Sequence, residues 1–515
     1  MKRPQLVSQG LLTRRLQTAQ AAWARKEFEA AIEILESANR LAPANPGILI
    51  ELGRANGLRY NYEAAERWFE KTLCFAPRKT EMLTTIAAHC QFFRNPELAE
   101  RYLRRVLEQP DATPQACIKL AELYERLRRL PEAGQLVERA LKSNPDDPAA
   151  LLVRARLERL AGRLETAESG LRSFITKPIH DSKIHAQAWY ELATILDRQE
   201  KFDDAMTAFC EAKALLRPQA DPLLVLLKTY FASLRATESG ISAGMLRRWV
   251  ENGPALNPSR PLALLCGHAR SGTTLLEQVL DSHPDIISAE ETYVFLDDAL
   301  TPLEYNLPPD ASWLPVLETA TLPALQSSRA AYFRFMELSN GSPTAGRLLI
   351  DKNPMLTRHI PEFIRLLPET KVLVAMRDPR DVVLSCFMQP HPLNPATAAF
   401  LDLGGTADFY ANTMNFWRTL APLMPVPYLE VRYEDMVADL EAVARKALNF
   451  LGMPWDDRVL AFHETAQKKR VLSPTYADVT QPIYQRARGR WRHYQKYFEP
   501  HLEKLEPLVK AFGYE

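Results

Sequence analysis

The sequence predicts two domains of different class: an N-terminal all-α solenoid and a C-terminal α/β domain built on a parallel sheet. Three observations predict it. Alanine recurs at a fixed interval through the first half, and from Pro261 apolar runs alternate with helical stretches. The first of those runs meets its helix at a turn bounded by two glycines. At 515 residues the chain exceeds one ordinary core, so two or three domains are expected.

Ala31, Ala65, Ala99, Ala133 and Ala167 stand 34 residues apart, in the phrases FEAAIEIL, YEAAERWF, PELAERYL, PEAGQLVE and LETAESGL. Four residues after each sits an apolar side chain (Leu35, Phe69, Leu103, Val137, Leu171), and Pro43, Pro77, Pro110 and Pro145 close units. A sixth copy, KFDDAMTAF around Ala205, arrives four residues late, the insertion falling in the loop-like TKPIHDSKIH. The small alanine lets the second helix of a pair approach the first. The residue at i+4 fills the gap on the same face, and proline ends the helix. A lone pair cannot bury its apolar face, so pairs stack.

The phrase and period resemble tetratricopeptide repeats, and Leu52-Gly53 matches that family's first-helix signature. The resemblance implies a concave groove that binds a peptide or partner protein; a purely architectural array is the competing role. The repeat domain is expected over residues 12–240, as about six helix pairs with DPLLVLLKTYFASL as a capping helix. ATESGISAG reads as the linker region, placed at 241–257 with the short amphipathic helix MLRRWVENG, and the second domain as 258–515.

Composition narrows the classes. At 46% hydrophobic and 25% charged the chain is globular, and a net charge of +1 argues against broad nucleic-acid binding. Six scattered cysteines without a C-x-x-C pair read as reduced thiols. The basic N-terminus lacks an apolar core of secretory length, and no apolar run reaches the roughly 18 residues of a membrane span. A cytoplasmic location is the expectation.

In the second half LALLCG, LLIDK, KVLVAMR and PYLEVRYEDM read as parallel strands with crossover helices. Between the first strand and its helix, Gly267 and Gly272 have the spacing of a phosphate-binding loop. Backbone N–H groups at such a helix start make an anion site. A nucleotide triphosphatase loop would place lysine where Thr273 stands, and would want an aspartate near the strand end occupied by Arg377. Arg270 inside the loop, with the hydroxyls of Ser271, Thr273 and Thr274, suits a less charged group that needs no metal.

ARSGTTLLEQVLDSHP resembles the 5′-phosphosulfate loop of sulfotransferases that use 3′-phosphoadenosine 5′-phosphosulfate (PAPS), releasing the bisphosphate PAP. MRDPRDVVLS resembles their 3′-phosphate motif, in which an arginine and a serine eight residues later hold the phosphate; Arg377 and Ser385 keep that spacing. An ion pair of Arg377 with Asp381 is the competing reading. The combination with repeats resembles a bacterial group related to protein-tyrosine sulfotransferases.

The resemblance implies roles. SAEETYVF is similar to a GEET phrase whose second glutamate is the base, here Glu291, with Glu290 the adjacent rival. Lys352 in LLIDKNP matches a lysine that stabilises charge at the leaving phosphate, although the order departs from the family's NKDP; an ion pair with Asp351 is the alternative. Arg270 shares that electrostatic task. The loop residues Arg270, Ser271, Gly272, Thr273 and Thr274, with Arg377 and Ser385, would hold the donor. Tyr433 near the adenine nucleotide, Ser473 near the phosphosulfate and Arg486 from QPIYQRARGRWRHY complete the implied donor set. Gln481 replaces a lysine usual before the proline. The implied acceptor is a hydroxyl, with tyrosine of a peptide or protein favoured by the SAEET phrase. A carbohydrate, lipid or small-molecule hydroxyl, a non-catalytic PAP-binding scaffold and a phosphate-loop kinase stay open as alternatives.

Overall fold

In the computed structural model, residues 3–177, 181–344, 346–468, 483 and 487–514 are described. The repeat phrases open helices Phe28–Leu41, Tyr62–Phe75, Pro96–Leu107, Leu130–Ser143, Leu164–Ile175 and Phe202–Gly240, each preceded by a partner helix. The six signature alanines are at most 1% exposed, so each is a point of closest helix approach. Gly53 serves the same end: a Cβ there would collide with the Phe69 ring.

The turn within each pair follows one rule. Lys26, Tyr60, Arg94, Arg128 and Gly162, again 34 apart, all have positive φ, as does Glu200 in the displaced sixth pair. The next residue donates its N–H back into the helix, as in Asn95 N to Cys90 O at 2.8 Å and Arg129 N to Tyr124 O at 2.8 Å. This left-handed stop satisfies the last carbonyls of the first helix and turns the chain into the second.

The expected capping helix and the ATESG segment are instead the continuation of the sixth repeat helix, which runs unbroken from Phe202 to Gly240 through Pro218 and Pro222. Each proline removes one backbone bond, but Ala220 between them packs on Ala398 and Leu401, and this burial holds the segment helical.

The described chain forms two compact units. One comprises residues 1–162 with the segments 296–305 and 333–342; the other comprises 163–295, 306–332 and 343–515. Within the first unit Asp298 accepts from Arg59 (Nη1 to Oδ2, 3.2 Å), and the Arg59 guanidinium lies 3.8 Å from the Phe335 ring centroid.

The second unit contains a five-stranded, wholly parallel sheet: β1 (Leu262–Gly267), β2 (Ile286–Glu290), β3 (Leu348–Lys352), β4 (Lys371–Met376) and β5 (Tyr428–Arg432), in the order β2-β3-β1-β4-β5. Four of these are the strands expected from apolar runs; β2 was not anticipated, because IISAE is short and ends in acid. Every residue of β1 and β3 is buried, as a sheet covered on both faces requires. The chain leaves β1 toward one edge and β4 toward the other, so a crevice lies at the carboxyl ends between them. Among the described residues no helix is long and apolar enough to cross a membrane.

Candidate active site

All five strands deliver residues to their carboxyl ends: the glycine loop after β1, Glu290 and Glu291 at the end of β2, Lys352 closing β3, Arg377 after β4 and Tyr433 after β5. The loop runs from Gly267 into the helix Thr273–Asp281. Gly267 is pinned by Thr357, whose hydroxyl donates to its carbonyl while its N–H donates to Thr357 Oγ1 at 2.8 Å. Gly272 has φ +96°, and a Cβ there would lie 2.8 Å from Tyr433 Cδ2, so both conformation and space require glycine. Arg270 also lies in the left-handed region (φ 71°), a strain that loops at functional sites hold in place.

Two motifs more than a hundred residues apart meet here. Arg270 Nε donates to Ser385 Oγ at 3.0 Å, and Arg377 Nη1 donates to the Arg270 carbonyl at 3.2 Å. Arg377 Nη2 donates to Ala487 O, and its guanidinium lies 4.8 Å from the Tyr433 ring centroid. The rival Asp381 is 3.9 Å from Arg377, at the limit of an ion pair. Its oxygens accept instead from Gly489 N (2.7 Å) and Trp491 N (2.9 Å). Among the described residues Arg377 Nε is buried without a hydrogen-bond partner. A buried guanidinium paired mainly with neutral acceptors, beside a loop whose glycine a side chain cannot replace, fits an anionic phosphate group.

At the other end the ammonium of Lys352, fully buried, faces three carboxylates: Glu291 at 2.9 Å, Glu277 at 3.3 Å and Glu290 at 3.4 Å. Burial alone would depress the ammonium's pKa, but the three carboxylates together raise it above its ordinary value. Glu291 has φ 49°, and its N–H donates to Lys352 O at 2.7 Å, which fixes where its side chain starts. The Glu291 side chain is 35% exposed and that of Glu290 only 8%. Asp351 points away: successive residues of β3 face opposite sides, and Asp351 accepts from Tyr332 OH at 3.0 Å. Burial pushes its carboxyl up to about 7.

Sequence reasoning missed Glu277. Its signal was a lone acid in the apolar run TTLLEQVL, four residues after Thr273 and so on the same helix face. The loop histidines are structural. Burial pushes His268 down to about 4 among Phe409 and Tyr410, and His283 Nε2 lies 3.0 Å from Pro454 O. Ser271, Thr273 and Thr274 are buried in the loop. Ser473 and Arg486 lie outside the described residues. Of the tail arginines, Arg490 is paired with Asp197. A cavity of about 360 Å³ lined by Lys213, Phe387 and Leu401 contains none of the residues at the strand ends.

A glycine loop at the switch point of a parallel sheet, with cations on neighbouring strand ends, has the architecture of a phosphate-loop domain. Residues 261–457 match the sulfotransferase family, and residues 94–157 and 186–215 match tetratricopeptide repeats. The chain thus carries a region similar to the sulfotransferase family beside regions similar to tetratricopeptide repeats. It is 25% identical over 406 residues (76% of this chain, 50% of the relative) to an uncharacterized protein of Aquifex aeolicus. It is 27% identical over 249 residues to protein-tyrosine sulfotransferase 1 of Danio rerio (46% of this chain, 66% of the relative). Identity is also 27% over 248 residues to protein-tyrosine sulfotransferase of Drosophila melanogaster (46% and 48%). The chain thus spans from about half to about two thirds of the length of these curated relatives. Among solved structures it is similar to the sulfotransferase domain of the Synechococcus PCC 7002 olefin synthase, with TM-score 0.36, 23% identity and coverage of 50% of this chain and 96% of that one.

Proposed function

We propose that the chain transfers a sulfuryl group from PAPS to an acceptor hydroxyl, most readily a tyrosine of a peptide or protein. The observation that carries this reading is the convergence of Arg270, Ser385 and Arg377 at 3.0 and 3.2 Å from two separate motifs. PAPS, when bound, supplies the sulfuryl group on a leaving phosphate.

The chain's own residues do the rest. Arg377 and Ser385 hold the 3′-phosphate, and Tyr433 supports Arg377 from beneath. The loop amides and the hydroxyls of Ser271, Thr273 and Thr274 hold the other end without a metal, and Arg270, whose Nε meets Ser385, stands between the two ends. Glu291, the more exposed of the adjacent pair, takes the acceptor's proton, a role worth roughly 10²–10⁴ in rate. Lys352 stays protonated and stabilises charge on the leaving oxygen. Ser473 and Arg486 remain donor contacts implied by resemblance. The likeness of the SAEET phrase and the protein-tyrosine sulfotransferase relatives favour tyrosine. The repeat groove is assigned to a peptide or partner protein, and the location to the cytoplasm.

The test is thermal stabilisation by PAP in the presence of EDTA, followed by transfer of label from radiolabelled PAPS to tyrosine peptides and glycans side by side. Stabilisation by Mg-ATP with none by PAP would sink the reading. Label on glycans alone would move the acceptor away from tyrosine.

A further inference from the structure

We propose that Glu277 is a positioning residue for this transfer. It holds Lys352 charged and in place from the buried side while Glu291 leaves the lysine to take the acceptor's proton. The proposal rests on the reading above and deepens it.

A carboxylate 2.9 Å from an ammonium is a poor base, because its lone pairs and charge are already engaged. To accept a proton, Glu291 must release Lys352. A buried ammonium released from its best partner either finds another carboxylate or becomes costly to keep charged. The three acids around Lys352 are not equivalent. Glu291 is one-third exposed and stands just past the end of β2, open to an acceptor. Glu277 has no exposed surface, sits on the loop helix, and is fixed from behind by Ser288, whose hydroxyl donates to its Oε1 at 2.8 Å. Glu277 Oε2 faces Lys352 at 3.3 Å. Glu290 at 3.4 Å is the second buried partner. One exposed and two buried carboxylates let a single lysine keep its charge throughout the proton transfer. Because Glu277 belongs to the loop helix, it also ties the lysine to the element that holds the phosphosulfate.

Glu277→Gln keeps shape and removes charge. It is expected to leave PAP affinity within about threefold and to lower kcat for radiolabelled PAPS with tyrosine peptides on the order of tenfold to a hundredfold. An alkaline limb set by Lys352 lies beyond the assay range in the wild type and is expected to move down into it in Glu277→Gln, since the carboxylates are what raise that lysine. Glu277→Asp should restore part of both effects. Should Glu277→Gln fail to fold, Ser288→Ala, which removes only the hydroxyl behind Glu277, is expected to shift kcat and the alkaline limb in the same direction by less. A Glu277→Gln protein that binds PAP, with kcat and alkaline limb as in the wild type, overturns the proposal and spares the functional reading. So does a fall in kcat with an unmoved limb, which marks a structural role. A wild-type chain that ignores PAP, or binds it and transfers no label, overturns the functional reading and this proposal together.

Discussion

The two ends of the crevice treat their cations in opposite ways. At the Arg377 end a buried guanidinium is met by two carbonyls and an aromatic face, with its nearest carboxylate 3.9 Å away and engaged elsewhere. At the Lys352 end one ammonium is met by three carboxylates within 3.4 Å. The first arrangement keeps positive charge available to an incoming anion. The second keeps a cation charged while surrounding it with proton acceptors. In the proposed reaction, binding and chemistry are separated along one sheet by what each cation is paired with.

The sharpest way to break this contrast is at the Lys352 end. Glu291→Gln is expected to lower kcat by roughly 10²–10⁴ while PAP affinity and melting temperature stay close to wild type, measured by label transfer, calorimetric titration and thermal shift. Lys352→Met strands two buried carboxylates and is expected to destabilise the fold by about 3–5 kcal/mol, read from urea unfolding. At the other end Arg377→Gln should weaken PAP by about 1.5–3 kcal/mol, again by titration, with a smaller loss of stability because its one carboxylate neighbour, Asp381, keeps two backbone N–H donors.

Asp351 sharpens the contrast from the opposite face of β3. Its carboxyl is raised by burial from 3.8 to about 7, so the native state holds a proton that the unfolded chain has released. Stability is therefore fullest below the unfolded value, falls as pH rises between those two values and levels off above them. Asp351→Asn is expected to flatten that decline in urea midpoints and to leave PAP affinity unmoved.

Much of this was legible in the sequence because it depends on local chemistry. The 34-residue alanine register follows from helix contact, and the loop and MRDPRDVVLS carry their chemistry in adjacent residues. What was not legible depends on partners distant in the chain. Glu277 looks like a surface acid until β3 brings Lys352 beside it. The choice of Asp351 or the glutamates for Lys352 is set by which face of β3 each residue takes. The helix runs on through Pro218 and Pro222 because Ala220 packs on Ala398, which cannot be seen locally. β2 is five residues long and gains its identity only by pairing with β3.

The left-handed turn residues of the repeats carry an engineering consequence. Five of the six positions are occupied by lysine, tyrosine, arginine or glutamate, residues that reach positive φ only at a cost. Only Gly162 meets the geometry without one. Arg94→Gly and Glu200→Gly should each raise stability by a fraction of a kcal/mol up to about 1 kcal/mol, additively since the turns are far apart, as melting temperature would record. The repeat half thus holds an unused thermal reserve that can be drawn on without touching a residue of the crevice.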